Sequence, residues 1–207
     1  MKHLFKLIGC LFISVVLFSQ SAFSIGVFVA GFAATSGGAN PGMHRMKDDE
    51  GIGGLIPGEH INMEWNDDQA EVVEKIRQAT EKNPDEPVVL IGHSLGATTA
   101  VEMAFALKRF EIEVDVLVQL ESIAIASNIN EITPSNVKRG LNLWSTSDDT
   151  LNGLSVVEGS ENIGIDGSNH ADIDEPDDEG QTSETAFEGK NAWGIIQCVL
   201  SEDLKTD

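Results

Sequence analysis

Three short runs of apolar, mostly β-branched residues constrain the fold of this chain more than any other feature. They are IGVFVAG at 25–31, VVLIG at 88–92 and VDVLVQL at 114–120. Each run is apolar at nearly every position instead of at alternate positions, which is typical of strands buried on both faces. Such strands need a layer of helices on each side of the sheet. The runs therefore predict an α/β fold with a mostly parallel sheet.

Helices are predicted between these runs. Asn66-Asp67-Asp68 supplies an N-cap for a helix that continues to about residue 82, with its apolar residues on one face. Small residues after the second run predict another helix from Ser94 to about Phe110. The other expected elements are strands at 61–65, 140–145 and 162–165 and a C-terminal helix over about 185–204.

The segment at 32–58 is rich in Gly, Pro, Ser and Asp and is interpreted as a long loop. Loops of this length without structure of their own are usually functional or mobile. We therefore expect it to be the cover of any site at this end of the sheet. Within it, the stretch MHRMKDDEG is strongly polar.

Residues 1–24 have the form of a secretory signal peptide. Two lysines precede an almost wholly apolar stretch at 7–18, and Ala-Phe-Ser at 22–24 offers small residues for cleavage. The stretch is too short for a comfortable membrane span, so an uncleaved anchor is the less favoured alternative. We expect a periplasmic or secreted protein with a single domain at 25–207 and no stable membrane span after cleavage.

The acidic composition excludes some partners. A net charge of −21 over 207 residues disfavours binding to nucleic-acid phosphates or anionic lipid by charge alone. The acidic residues near 166–178 do not form an EF-hand loop from Asp172, since Pro176 interrupts it and the sixth position is not Gly. We expect no nucleic-acid partner, no metal and no cofactor.

Gly-His-Ser-Leu-Gly at 92–96 stands between a predicted strand and a predicted helix. This is the G-x-S-x-G pattern, in which a tight turn exposes a serine hydroxyl above the sheet. The flanking residues must be small because neighbouring backbone approaches closely. The N-terminus of the following helix directs its amides toward developing negative charge. Ser94 is therefore the candidate nucleophile.

A serine nucleophile needs a base, and His170 is the best candidate. His3 lies in the predicted signal peptide, and His93 adjoins the nucleophile. His44 and His60 precede the serine, whereas the base follows it in this arrangement. The chosen histidine lies in the polar loop GIDGSNHADID, which comes after a short apolar run.

The histidine in turn needs a carboxylate to fix its tautomer and stabilise its charged form. Glu121 comes directly after a buried strand, which would hold its side chain rigidly. Asp148 and Asp149 follow the strand expected at 140–145, in a polar turn where they could simply be solvated. We favour Glu121 as the acid, with Asp148 or Asp149 as the alternative.

On these motifs the chain resembles the α/β-hydrolase superfamily, in particular small bacterial lipases and esterases. The resemblance runs from GVFVAGF through VVLIGHSLGATTA and VDVLVQLES to NHADID. It implies a compact α/β-hydrolase fold without a large cap domain. It also implies an oxyanion hole formed by the amides of Leu95 and Phe32.

The function that the resemblance implies is hydrolysis of a carboxylic ester or thioester through an acyl-enzyme. The substrate would be a small acyl ester or a lipid-like molecule. The polar segment noted above favours an esterase or thioesterase over a true lipase. Two alternatives stay open: a catalytically degenerate binding protein on the same scaffold, and an acyltransferase that uses the same triad.

Overall fold

A computed structural model describes residues 24–31, 41–123, 128–147, 151–176, 182–183, 187 and 189–204. The strands are β1 Ser24–Ala30, β2 Gly58–Glu64, β3 Val88–His93, β4 Val114–Leu120, β5 Val137–Ser145, β6 Glu161–Asp166 and β7 Thr182–Ser183. The helices are α1 Pro41–Asp48, α2 Gln69–Lys82, α3 Leu95–Lys108 and α4 Ala192–Asp203. Short 3₁₀ helices cover Gly53–Leu55 and Ile129–Glu131.

The strands form one sheet in the order β2-β1-β3-β4-β5-β6-β7. Neighbouring strands are parallel except β7, which pairs antiparallel with β6. The prediction of an α/β fold with a mostly parallel sheet is confirmed. After β1 the chain crosses to one side to form β2 and then returns to the other side to form β3. At such a switch point the carboxyl ends of the strands open a crevice, which is where open α/β sheets bind ligands.

Both faces of the sheet are buried, as the continuous apolar runs require. On one face α1 and α4 pack against side chains such as Phe28, Ile91 and Val118. On the other face α2 and α3 pack against Val27, Leu90 and others. Successive strand residues point to opposite faces, so each apolar run supplies both cores at once.

The prediction of a long loop over 32–58 is wrong for the part that the structure describes. Residues 41–48 form α1, and β2 begins at residue 58. Met43 and Met46 are buried in the core under one face of the sheet, together with Ile52 and Ile56. The segment is mostly polar, but its two methionines are three residues apart and therefore lie on the same face of the helix, toward the sheet. The segment is therefore a packed crossover and not a loose cover; residues 32–40 lie outside the described residues.

Other boundaries differ for local reasons. Asp68 caps α2 by accepting a hydrogen bond from the Ala70 amide at 2.9 Å, as the sequence predicts. The C-terminal helix begins later than expected, because Asn191 is its N-cap and accepts from the Gly194 amide at 2.9 Å. Strand β7, which has two residues, was not anticipated, since so short a strand carries no periodicity.

The connection between β4 and β5 contains, in its described part, one 3₁₀ helix and no larger helical insertion. No helix in the described ranges is long and apolar enough to cross a membrane. Ser24, the last residue of the expected signal peptide, is the first residue of β1. Residues 1–23 lie outside the described residues, so the signal peptide stays a prediction.

Candidate active site

Ser94 is the single residue between β3 and α3, and its backbone is strained. Its φ of 57° and ψ of −122° lie in a region that residues with side chains seldom adopt. The Ser94 amide donates to the Leu120 carbonyl at 2.8 Å, which ties the turn to the end of β4. The serine side chain makes no capping bond to α3. Its hydroxyl is thus held above the end of the sheet.

Close backbone contacts explain the glycines around this turn. A Cβ on Gly96 would lie 2.3 Å from the carbonyl oxygen of Val29, a backbone atom that cannot move aside. A Cβ on Gly31, at the end of β1, would lie 2.6 Å from both the His93 carbonyl and Ser94 Cβ. The turn therefore rests directly on β1, at the switch point of the sheet.

His170 is brought to Ser94 by the loop that follows β6. Its Nε2 lies 2.9 Å from Ser94 Oγ. Within the loop, the Asn169 amide donates to Asp172 Oδ1 at 2.7 Å, and the Ile173 amide donates to the Asn169 carbonyl at 3.2 Å. The His170 side chain is only 16% exposed. When the serine donates to Nε2, the proton of the neutral ring resides on Nδ1.

Glu121 lies behind His170 and is fully buried. Its Oε2 is 3.2 Å from His170 Nδ1 and also accepts from the Gly153 amide at 2.6 Å. Its Oε1 accepts from the Ser145 amide. Backbone amides from two other segments thus hold the Glu121 carboxylate in place. They fix its orientation toward Nδ1 of the His170 imidazole.

The structure brings together three of the sequence-predicted residues. They are Ser94 after β3, Glu121 after β4 and His170 in the loop after β6. Leu95 directly follows the serine as the first residue of α3, where the positive end of the helix dipole lies. Phe32, Asp148 and Asp149 lie outside the described residues, so their assignments stay predictions. Such a chain of hydrogen bonds can pass the serine proton to an imidazole.

Sequence reasoning missed the donors that hold the acid. The Gly153 amide reaches Glu121 because the segment after β5 folds back over the end of β4, and the Leu154 amide donates to the Ser122 carbonyl at 2.8 Å. A Cβ on Gly153 would lie 2.6 Å from Glu121 Cα, so only glycine fits there. No local pattern signals this contact between residues distant in sequence.

Sequence reasoning also missed the contact of His93 with the His170 loop. His93 is buried, and its Nε2 lies 2.8 Å from the backbone carbonyl of His170. Burial, followed by the proximity of His170, lowers the pKa of His93 to about 4. Its position as the last residue of β3, beside Ser94, was the available signal. Across the described residues, no group of three or more His, Cys, Asp and Glu is arranged to hold a metal ion.

Comparisons with known proteins give structural matches only. Neither the protein-family models nor the curated proteins match the sequence. A predicted CIB-like hydrolase from Thermoplasma acidophilum is similar at 14% identity and a TM-score of 0.48, over 89% of this chain and 87% of that one. The NocB thioesterase domain from the nocardicin cluster is similar at 12% identity and 0.46, over 88% and 95%. YbtT, a type II thioesterase from the yersiniabactin NRPS/PKS biosynthetic pathway, is similar at 16% identity and 0.32, over 51% and 45%.

Proposed function

We propose that this protein is an exported serine hydrolase that cleaves carboxylic esters or thioesters through an acyl-enzyme. One observation carries the proposal. Ser94 Oγ is 2.9 Å from His170 Nε2, and His170 Nδ1 is 3.2 Å from a buried carboxylate oxygen of Glu121. A nucleophile, a base and an orienting acid in hydrogen-bonded series are the elements that acyl transfer requires.

In the first half-reaction Ser94 Oγ attacks the acyl carbonyl while His170 Nε2 takes the hydroxyl proton. The imidazolium then gives this proton to the leaving alcohol or thiol as the carbon–oxygen or carbon–sulfur bond breaks. Glu121 holds Nδ1–H toward itself and stabilises the positive ring. The acyl group remains on the serine as an ester.

In the second half-reaction a water molecule attacks the acyl-enzyme, and His170 removes its proton. Collapse of the tetrahedral intermediate returns the proton to Ser94 Oγ and releases the carboxylic acid. The negative oxygen of both intermediates would be held by the amides of Leu95 and Phe32. The Leu95 amide is favoured for this task by its position at the positive end of α3.

The substrate class is proposed as a small acyl ester or thioester instead of an aggregated lipid. The burial of Met43 and Met46 supports this choice, because the crossover that carries them is anchored in the core. A lid that opens at a lipid surface would have to withdraw these side chains from the sheet. Lifting two methionines out of the core would cost about 2–3 kcal/mol each.

The test is hydrolysis of p-nitrophenyl esters of graded chain length and of acyl thioesters. We expect turnover by the wild type, loss of at least about 10³-fold in kcat with Ser94→Ala, and no loss with Ser201→Ala. Ser201 is a matched control because its hydroxyl donates to a helical carbonyl, that of Cys198 at 2.8 Å, in α4 and away from the site. Labelling by a fluorophosphonate probe should require Ser94.

Two results would overturn the proposal: no labelling of folded wild type, or activity that survives Ser94→Ala. An added alcohol acceptor distinguishes transfer from hydrolysis, because an acyltransferase would yield the new ester instead of the acid. Export is tested separately. Expression of the full chain in bacteria should yield a periplasmic or secreted product whose N-terminus lies near residue 25.

A further inference from the structure

We infer that His93 is a positioning residue for the base: its ring holds the loop of residues 168–174 so that His170 reaches Ser94. The inference rests on the proposed function, since it assigns a task within the same site. The hydrogen bond on which it depends can nevertheless be tested without any activity measurement.

The ring of His93 meets this loop at two points. Its Nε2 lies 2.8 Å from the backbone carbonyl oxygen of His170. A carbonyl oxygen only accepts hydrogen bonds, so Nε2 must carry the proton. Its Nδ1 faces the carboxylate of Asp174, with 3.8 Å to Oδ2. A distance of 3.8 Å is that of a packing contact and not of a hydrogen bond. The imidazole therefore bonds the loop at residue 170 and lies against it at residue 174.

The surroundings keep this ring in one protonation state. The His93 side chain is 5% exposed and that of Asp174 is fully buried. His170 and Glu121 are the other titratable groups nearby, and burial is the main cause that lowers the pKa of His93 to about 4. Near neutral pH the ring is uncharged and has a single N–H group. That N–H is directed at the loop carbonyl.

The far end of the loop is fixed by two helices. The indole Nε1 of Trp193 in α4 donates to the Asp174 carbonyl at 2.8 Å. On the other side Asp174 contacts α1 so closely that a Cβ on Gly42 would lie 2.5 Å from Oδ2. His93 thus joins the nucleophile's own strand to a loop that α1 and α4 already anchor.

This arrangement controls the geometry of proton transfer. The carbonyl that His93 binds belongs to His170 itself, so a shift of that carbonyl moves the ring of the base. The two histidine rings also contact each other, with centroids 5.1 Å apart. A misplacement of about 1 Å at a reacting group can cost roughly 10²-fold in rate.

The experiment compares two substitutions. His93→Leu removes the donor while keeping an apolar side chain in the buried site. His93→Gln keeps an N–H donor at a similar reach. We expect His93→Leu to lower kcat about 10–100-fold with KM changed less than about 3-fold, and His93→Gln to restore kcat to within about 5-fold of wild type.

His60→Leu is the matched control. His60 Nε2 makes the same kind of bond, 2.7 Å from the Ile56 carbonyl, near the opposite end of β2 from the site. Its loss should leave kcat unchanged. Hydrogen exchange of the backbone amides at 168–174 gives the second readout. Exchange should accelerate in His93→Leu, while His93→Gln and His60→Leu should match wild type.

Equal loss of kcat in both His93 variants, or wild-type kcat and loop exchange in His93→Leu, would overturn the inference. If His93→Leu does not fold, ¹⁵N NMR of the wild type decides, because an Nδ1–H tautomer of His93 is incompatible with donation from Nε2. If the wild type shows no Ser94-dependent activity, the proposed function fails. Loop exchange and the tautomer still test the His93 bond in that case.

Discussion

At the scale of single residues, the site depends on two strained positions. Ser94 directly follows β3 and Glu121 directly follows β4. Their φ angles of 57° and 46° lie in the left-handed region that favours glycine. Such a conformation costs about 1–3 kcal/mol per residue. It persists because the Ser94 amide bonds the Leu120 carbonyl at 2.8 Å and the Glu121 amide bonds the Leu143 carbonyl at 2.9 Å. Strain and tertiary hydrogen bonds together aim both side chains over the end of the sheet.

Glu121→Gln tests the acid directly. The amide cannot stabilise a charged imidazole, and its NH₂ group would face either the Gly153 or the Ser145 amide. We expect kcat to fall about 10³–10⁴-fold with little change in KM, measured on the preferred p-nitrophenyl ester. Asp148→Asn and Asp149→Asn are the comparison. A larger loss in either of them than in Glu121→Gln would transfer the role to that aspartate.

The lowered pKa of His93 leads us to predict how the free energy of unfolding changes at acid pH. An unfolded chain protonates this histidine near pH 6.5, whereas the folded protein does so near pH 4. Between these values the unfolded state binds more protons, so stability falls as the pH drops through this window and levels off below about pH 4. The contribution of His93 to this loss is about 3 kcal/mol.

Urea unfolding of wild type and His93→Gln between pH 7 and 4 measures this contribution. The wild type should lose more free energy of unfolding across the window than the variant does. Groups distant from His93 titrate alike in both proteins, so their protonation cancels in the difference. Parallel curves for the two proteins would show that burial does not depress the pKa of His93.

At the scale of secondary structure, the unit β3-turn-α3 organises the site. Thr99 Oγ1 in α3 donates to the Trp65 carbonyl after β2 at 2.9 Å, and Thr98 Oγ1 donates to the Ile123 carbonyl after β4 at 3.1 Å. The first turn of α3 is thereby bonded to the strand ends on either side. Its small residues allow this helix to approach the sheet closely.

Gly96→Ala tests that close approach. Alanine is the better helix former by about 1 kcal/mol, but its Cβ would lie 2.3 Å from the Val29 carbonyl. Because the obstacle is backbone, we expect a net destabilisation of about 1–3 kcal/mol in urea unfolding, accompanied by reduced activity. At Gly54 an added Cβ meets nothing nearer than 3.9 Å. Gly54→Ala should therefore change the free energy of unfolding by less than about 0.5 kcal/mol.

At the scale of the whole molecule, the protein combines two hydrophobic cores, on opposite faces of one sheet, with a strongly acidic composition. The chain has 34 Asp and Glu against 13 Lys and Arg. The described ion pairs, such as Lys75 with Glu71, lie mostly on exposed side chains and contribute little individually. Net repulsion among the remaining carboxylates opposes the compact state.

Salt should therefore stabilise the protein at neutral pH. Raising NaCl from 10 to 150 mM shortens the screening length from about 30 Å to about 8 Å. We expect the thermal midpoint to rise by about 2–5 °C. The same titration near pH 5, where part of the acidic charge is neutralised, is the control and should give a smaller rise. A midpoint that does not respond to salt would show that repulsion is unimportant for stability.

The sequence by itself determined the layers of this protein and the position of its candidate nucleophile. Continuous apolar runs such as 114–120 require burial on both faces, and Ser94 stands where one such strand meets a helix. These features are local, because they depend on residues adjacent in the chain. The same locality explains why α1 was missed: the two buried methionines are outnumbered by polar neighbours, and only contact with the sheet gives them a core position.

Only the tertiary structure decided how distant residues meet. The sequence offered Glu121 and His170 as candidates, but the 3.2 Å between Oε2 and Nδ1 depends on the register of β4, β5 and β6. The contacts of the Gly153 amide with Glu121 and of the His93 ring with the His170 carbonyl arise in the same way, from loops that fold back over neighbouring strand ends. Contacts between segments far apart in the chain leave no periodic trace, because each is set by the packing of the whole sheet.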